Sequence, residues 1–462
     1  MFATRIPRPV RHLRVRALRA GAVALAVVLV VSACTATSES ASSEEGAPDV
    51  AAVVDAADAA TPVDASAASE PASNDTDSDT AAGELALWDS STVHDIAIEF
   101  DDDDYAEMIA TYESTGEKDW IEATVTIDGV TYDEVGLRLK GNSSLRSLTS
   151  ESAGNPGDLP WLIRLDKYDD DQDHQGYVDI VIRSNSTETS LNEAVALELL
   201  EASGLATQQA IATTFTVNGG DTELRLALQH PDGVWEDENF DSDESALYKA
   251  ESTGDFSYRG DDPDAYDEVF DQEAGDDDLD PLIDFLDFIN NAEDETFATE
   301  LADRLDVESF ATYLAFQDLV DNFDDIDGPG NNAYLQYDYD TGLFTVVNWD
   351  LNLAFGTANV DGGPLPGDVA GGPPDRARPA GAGGFPGGGP AFGNNVLVDR
   401  FMEEFQQLYD EALVELTETL YADGTATAAL AEWVDVLSTQ SIVDDETIAA
   451  DAEAVRQSFP TV

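Results

Sequence analysis

The chain has 462 residues, of which 96 are acidic and 21 basic, and its formal net charge is −75 at pH 7. A surface this negative repels nucleic acid, which is therefore excluded as a partner. The single cysteine, Cys34, excludes an intrachain disulfide. Because self-repulsion of this size destabilises a compact protein at low salt, we expect a halophilic source.

The N-terminus has the pattern of an export signal. Six arginines precede Ala20, and the apolar run that follows to Val31 is shorter than the roughly 20 residues of a spanning helix. The run closes on Val31-Ser32-Ala33-Cys34, which resembles a bacterial lipobox. That resemblance implies that residues 1–34 are a lipoprotein signal peptide and that Cys34 is acylated. The alternative is an ordinary secretory signal with a chance cysteine.

Composition divides the rest of the chain. Residues 35–84 are mostly Ala, Ser, Thr, Asp and Glu, and so few apolar side chains predict a disordered acidic tether. Such a coil spans roughly 35 to 42 Å, which would keep the remaining chain close to a membrane. Residues 85–461 exceed the size at which one core stops growing, so we expect two lobes, 85–250 and 251–461.

The first predicted lobe is rich in strands. Alternating apolar and polar residues predict strands at 94–100, 121–127, 130–139, 161–165, 178–182, 211–217 and 224–228. One helix is expected at 191–203, with Thr189 or Ser190 as its N-cap and Gly204 at its C-terminal end.

The second predicted lobe is mainly helical. Amphipathic periodicity predicts helices at 281–290, 307–322, 396–421, 428–437 and 444–458. Residues 362–393 are rich in Gly and Pro without a fixed period, which predicts a flexible loop and neither collagen nor a phosphate-binding loop. Together the two lobes predict an α+β fold.

An acidic loop at 321–332 precedes a predicted hairpin, 334–338 and 343–349. We expect a register that pairs Asp338 with Phe344 and therefore places Asn332 opposite Asp350. Opposed residues have Cα atoms roughly 4.5 to 5.5 Å apart, so their oxygens could share a hard cation. Protein kinases use Asp-x-x-x-x-Asn and a later Asp at a strand end, and Asp327, Asn332 and Asp350 match that spacing.

Five segments in the same order are similar to those of the CotH kinase family, the spore-coat-protein-H-like atypical kinases. They are Leu137-Arg-Leu-Lys-Gly-Asn-Ser-Ser144, Asn192-Glu-Ala-Val-Ala-Leu-Glu-Leu-Leu200 followed by Gly204-Leu205, Ala246-Leu-Tyr-Lys249, Asp327-Gly-Pro-Gly-Asn-Asn-Ala-Tyr-Leu335 and Asn348-Trp-Asp-Leu-Asn-Leu-Ala-Phe-Gly356. The resemblance implies a remote protein-kinase-like fold with two lobes, which binds ATP and Mg²⁺ and phosphorylates Ser or Thr.

The resemblance also implies roles for single residues. Asp327 would be the catalytic base, and Asn332 and Asp350 would be metal ligands. Two cations, Lys140 and Arg164, are open alternatives for the nucleotide phosphates, and Lys249 is a further cofactor-binding candidate. Either Glu193 or Glu198 would orient the phosphate-binding cation, as a kinase αC glutamate does.

Two functions follow as expectations. The first is an atypical Ser/Thr protein kinase, lipid-anchored to the outer face of the cytoplasmic membrane, which uses Mg-ATP and acts on proteins of the cell envelope. The second is a catalytically inactive cell-surface scaffold that keeps the fold in order to bind a partner.

Overall fold

A computed structural model describes residues 85–357 and 395–461, with short gaps at 142, 146–147, 151–152, 243, 252–254, 276–277 and 329–331. All of these residues belong to one compact unit, Ser78–Val462. The signal peptide with Cys34, the tether at 35–84 and the Gly/Pro-rich loop at 362–393 lie outside the described residues. The predicted division at residue 250 stays a prediction.

Seven strands of the described chain form a closed barrel, in the order β1-β2-β3-β4-β5-β7-β6. They are β1 (Val93–Phe100), β2 (Ile121–Ile127), β3 (Val130–Leu139), β4 (Trp161–Arg164), β5 (Asp179–Ile182), β6 (Ala210–Val217) and β7 (Thr222–Gln229). Neighbouring strands are antiparallel except β1 and β6, whose parallel pairing closes the barrel. The mixed α and β fold class is confirmed, whereas the two-lobed arrangement is not.

The barrel strands are apolar for two different reasons. Residues such as Leu137, Ile163 and Ile180 point into the barrel and form its core. The alternate residues Leu162 and Val181 point outward and join a second, larger core. Because strand side chains alternate between faces, the polar residues on the outward positions of β3, β4 and β5 share one outer face.

A second sheet of four strands has the order β11-β10-β8-β9. Its strands are β8 (Ser245–Ala250), β9 (Phe270–Ala274), β10 (Ala333–Asp338) and β11 (Leu343–Asn348). Because β8 ends at residue 250 and the other three strands lie beyond it, this sheet combines strands from both predicted lobes. The second half of the chain therefore contains strands as well as helices.

Helices cover the second core together with this sheet. The α-helices of the described residues are α1 (Asp102–Thr115), α2 (Leu191–Ala202), α3 (Gly233–Asn239), α4 (Asp280–Asn291), α5 (Asp294–Glu300), α6 (Val307–Leu319), α7 (Val396–Leu416), α8 (Thr425–Leu437) and α9 (Asp445–Gln457). Among them, none is both long enough and apolar enough to cross a bilayer.

The hairpin of β10 and β11 is confirmed, but its predicted register is wrong by one residue. Asp338 pairs with Leu343 and not with Phe344, and the ladder ends where Ala333 faces Asn348. The reason is a tight turn, because the Asp338 carboxylate accepts hydrogen bonds from Asp340 N and Thr341 Oγ1, both at 2.8 Å. A shift of one residue moves side chains to the opposite face, so the expected pairing of Asn332 with Asp350 is not formed.

Candidate active site

A buried arginine links two acidic side chains from distant parts of the sequence. Arg183 directly follows β5, and its Nε donates to Oε2 of Glu193 on α2 at 3.0 Å. Its Nη2 donates to Oδ1 of Asp350, which lies just beyond β11. Arg183 is 7% exposed and Glu193 is 2% exposed, so these ion pairs are largely removed from water. We refer to Arg183, Glu193 and Asp350 as the Arg183 cluster.

Burial and charge both act on protonation in the Arg183 cluster. Burial lowers the pKa of Arg183, but Asp350 and Glu193 together raise it by more, so the guanidinium stays charged. Burial raises the pKa of Glu193 to about 7; Arg183 acts against this rise and Asp350 adds to it. Oε1 of Glu193 is buried without a hydrogen-bond partner. With two carboxylates for one guanidinium, the cluster can accept a further cation.

The backbone around Asp350 holds its carboxylate in place. Asp350 has a φ of 63°, in the left-handed region that Asp tolerates better than most residues. On one side, the side chain of Asn348 accepts a hydrogen bond from Gln317 Nε2 at 2.6 Å. On the other, Asn192 Nδ2 of α2 donates to the carbonyl of Asn352 at 2.5 Å. Conformations of this kind cost about 1 to 3 kcal/mol and are concentrated at functional sites.

Lys140 contacts His230 and the ring of Trp349. Its Nζ is 2.7 Å from Nε2 of His230 and 5.5 Å from the ring centroid of Trp349, the residue before Asp350. Burial lowers the pKa of Lys140 to about 8. The structure therefore places near the ring of Trp349 a cation that loses its proton more readily than an ordinary lysine.

Arg164 forms a bidentate ion pair on the outer face of the barrel. Its Nε donates to Oδ1 of Asp179 at 2.8 Å, and its Nη2 donates to Oδ2. The ligand atoms of Asp179, His230 and Asp232 lie within 4.8 Å of one another, a spacing that could hold a metal ion and that the sequence did not indicate. Because Arg164 engages both oxygens of Asp179 and Lys140 contacts His230, the present arrangement is a network of polar contacts.

Lys249 is placed on β8 in the second sheet. Its Nζ donates to Oε1 of Glu251 at 2.6 Å. Its neighbours across the ladders are Tyr334 of β10 and Asp271 of β9. The ion-pair partner of Lys249 is therefore Glu251 and not a member of the Arg183 cluster.

The acidic loop at 321–332 is tied to the start of α7. Oδ1 of Asp327 accepts a hydrogen bond from the backbone of Asn395, the N-cap of α7, at 2.9 Å. Nδ2 of Asn332 donates to the carbonyl of Asp324 at 2.9 Å, which leaves the amide oxygen of Asn332 as the atom that could bind a cation. The roles of Asp327 as a base and of Asn332 as a ligand stay predictions.

Comparison with protein families gives one match, to a family model described as "CotH kinase protein", over residues 137–459. This match covers more than half of the chain. The chain belongs to the CotH kinase family. The matched region begins within β3, ends at residue 459 just beyond α9 and contains the whole Arg183 cluster.

Two further comparisons were made for this CotH-family chain, with curated proteins and with solved structures. Among curated proteins, none matches. Among solved structures, the crystal structure of the Helicobacter pylori proinflammatory kinase CtkA is 9% identical, with a TM-score of 0.28. The similarity covers 66% of this chain and 92% of that chain.

Arg183 is the residue of this CotH-family site that the sequence prediction missed. Lys140 and Arg164 are the predicted partners of the helix glutamate, but the structure pairs Glu193 with Arg183 instead. It also selects Glu193 over Glu198 for this contact. The sequence does contain a signal for Arg183, because this cation directly follows the apolar strand β5 and precedes the helix α2. In protein kinases the phosphate-binding lysine likewise lies on a strand that precedes helix αC.

Proposed function

We propose that this CotH-family protein is an atypical kinase that transfers phosphate from Mg-ATP to Ser or Thr of envelope proteins. The observation that supports this most is the contact of Arg183 with both Glu193 and Asp350. In protein kinases a strand lysine pairs with a glutamate of helix αC, and an aspartate beyond a later strand binds metal. Arg183, Glu193 and Asp350 have the same chain order and the same kinds of side chain.

Each residue of the site has a proposed task. Asp350 and Asn332 offer oxygen atoms, and Mg²⁺ accepts such a sparse set because it keeps several waters. When bound there, Mg²⁺ would supply charge neutralisation for the phosphate oxygens. Arg183 holds phosphate oxygens through its planar fork while Glu193 orients it. Asp327 takes the proton of the acceptor hydroxyl.

The charges at the site support a bound cation. The Arg183 cluster has one more carboxylate than guanidinium, and Oε1 of Glu193 is buried without a partner. A cation near Asp350 would balance the excess negative charge once Arg183 turns toward phosphate. Lys140, whose Nζ is 5.5 Å from the ring of Trp349, is a second positive group near the segment that carries Asp350.

The cellular location is part of the proposal. If Cys34 is acylated, residues 35–84 would hold the kinase region at a root-mean-square distance of roughly 35 to 42 Å from the anchor. Acceptors would then be neighbouring envelope proteins, and the membrane would be contacted only through the lipid anchor.

Phosphate transfer tests the proposal directly. The full-length chain is incubated in detergent and high salt with Mg²⁺, γ-labelled ATP and envelope proteins, and phosphoserine and phosphothreonine are measured. We expect Asp350→Asn to lower the rate about 100-fold or more, since it removes a charge that acts on the transition state. Asp171→Asn, at an exposed loop position, is the matched control. Equal labelling by wild type and Asp350→Asn would reject the kinase and favour the inactive scaffold.

A further inference from the structure

Among the described residues, several of the basic side chains lie around one aromatic ring. Six of the 21 basic residues precede Ala20, so few remain for the folded part. Three of these surround one indole ring, that of Trp120: Arg138 Cζ is 4.9 Å, Lys167 Nζ 5.2 Å and Arg164 Cζ 5.5 Å from its centroid. Lys118 lies two residues before the ring. We call these five residues the Trp120 surface.

Most of the charge on the Trp120 surface has no acidic partner. In the part of the chain that the structure describes, eight arginines and lysines are ion-paired with an acid within 4.0 Å, and Arg164 is the member of the Trp120 surface among them. They are Arg164, Arg183, Arg225, Lys249, Arg259, Arg304, Arg400 and Arg456. The described cations without such a partner are Lys118, Arg138, Lys140 and Lys167. Three of the four belong to the Trp120 surface.

Arg138 shows most clearly that this positive charge is not neutralised by an ion pair. Its Nε is buried and has no hydrogen-bond partner. The acids Glu273 and Asp271 of β9 act on it only at longer range, since neither forms an ion pair with it. A chain with 96 acids has therefore left these cations unpaired, and unpaired charge is the usual mark of a surface that attracts an anion.

The indole ring distinguishes between two kinds of anion. A nucleotide would use an aromatic ring to stack its base, but three cationic groups already lie over Trp120. Cation–π contact holds those groups in place instead. The arrangement therefore suits the carboxylates of an acidic polypeptide better than it suits a nucleotide.

The position of Lys140 connects the Trp120 surface to the candidate active site. Lys140 lies two residues beyond Arg138 on the same face of the barrel, and its Nζ is 5.5 Å from the ring of Trp349. Asp350 is the next residue after Trp349. An acidic segment on the Trp120 surface would thus lie next to the site of phosphate transfer.

We propose that the Trp120 surface binds an acidic segment of the protein whose Ser or Thr receives the phosphate. Phosphate transfer to this Ser or Thr rests on the proposed function, whereas binding of the acidic segment does not. Acceptors with Asp or Glu flanking the hydroxyl residue would be preferred over neutral or basic ones.

Binding to a peptide that cannot be phosphorylated tests this proposal. The probe is a fluorescent peptide with Asp residues on both sides of one Ala, and its matched control has Asn at every Asp. Anisotropy is measured with the full-length chain at the lowest salt that keeps it folded. We expect the Asp peptide to bind at least about tenfold more tightly, with an affinity that falls as salt rises.

Variants locate the binding site. The double variant Arg138→Gln with Lys167→Gln should weaken binding of the Asp peptide about tenfold, because each charge contact at the protein surface contributes up to roughly 1 kcal/mol. The control, Arg259→Gln with Arg304→Gln, removes two ion-paired cations elsewhere and should change binding less than twofold. Thermal unfolding of both variants checks that they are folded.

Three results would overturn the proposal. The first is equal binding of the two peptides, and the second is equal binding of the Asp peptide by the two double variants. The third is displacement of the Asp peptide by Mg-ATP, together with a raised KM for ATP in the double variant Arg138→Gln with Lys167→Gln. The last result would assign the surface to the nucleotide. Site-dependent peptide binding without any phosphate transfer would support the surface while contradicting the proposed kinase.

Discussion

At the scale of single residues, Glu193 is an acid whose burial changes its titration. Its folded-state pKa of about 7 exceeds the ordinary value of 4.5, so the folded chain binds this proton more tightly than the unfolded chain. The stability that this gives is complete below about pH 4.5 and is lost as the pH rises through about 7. The size of the effect is at most about 3 kcal/mol.

Glu193→Gln tests this dependence because the amide stays neutral at every pH. We expect the free energy of unfolding of wild type, relative to Glu193→Gln, to fall between pH 4.5 and 7.5 at constant salt. Glu415→Gln, an exposed glutamate of α7, controls for the substitution itself. A difference between wild type and Glu193→Gln that does not vary with pH would mean that Glu193 is not protonated in this range.

The lowered pKa of Lys140 leads to a second prediction for a single residue. Because burial lowers its pKa to about 8, the neutral amine should be available at lower pH than in an ordinary lysine of pKa 10.5. Pulse acylation followed by mass spectrometry should show half-maximal labelling of Lys140 near pH 8. The denatured chain provides the control, with half-maximal labelling of Lys140 near pH 10.5. Equal midpoints in the folded and denatured chains would contradict the assignment.

At the scale of elements, the loop that carries Asp327 depends on close backbone packing. A Cβ at Gly328 would lie 2.5 Å from the carbonyl oxygen of Phe323 and 2.6 Å from Cα of Asp324. We expect Gly328→Ala to move the loop, to cost about 1 to 3 kcal/mol and to slow phosphate transfer.

Gly233→Ala is the matched control for the loop, since a Cβ there meets nothing within 4 Å and the position begins α3. Urea unfolding and the transfer rate are measured for both variants. If Gly328→Ala is as stable and as active as Gly233→Ala, the geometry of this loop does not matter to the site.

Local patterns predicted most elements but not how they pair. Alternating apolar and polar residues and helical periodicity predicted β1 to β7, α2, α4 and α6 to α9, with ends that differ from the structure by a few residues. They missed α1, because only Met108 and Ile109 of this helix are buried and three acids form its first turn. They also missed β9, where Phe270 is the one fully buried residue. Barrel closure depends on the distant pairing of β1 with β6, which no local pattern encodes.

The site was predictable to a similar extent. The order of the sequence motifs predicted Glu193 and Asp350 as site residues, and in the structure both contact Arg183. The identity of that cation depends on which residue of the barrel's outer face meets α2, and this is a property of packing. The position of Asn332 depends on a one-residue register that the turn at Asp338 sets through its own hydrogen bonds.

At the scale of the whole molecule, we expect the large negative charge to lower the free energy of unfolding. With a formal charge of −75, the folded chain repels itself, and raising the salt from about 0.1 M to 1 M shortens the screening distance from roughly 10 Å to 3 Å. We expect the unfolding temperature to rise steadily over this range and to respond alike to NaCl and KCl. An unfolding temperature that is flat or falls with salt would contradict a role for charge repulsion.

We propose that Arg183, which pairs with both Glu193 and Asp350, is the cation that binds the nucleotide phosphates. The most direct test is the kcat/KM of phosphate transfer for Arg183→Met, Arg183→Lys and Lys140→Met, measured side by side in high salt with Mg²⁺. We predict a loss of about 100-fold or more for Arg183→Met, partial recovery in Arg183→Lys and a smaller loss for Lys140→Met. Wild-type activity in Arg183→Met, with the large loss in Lys140→Met instead, would contradict the claim.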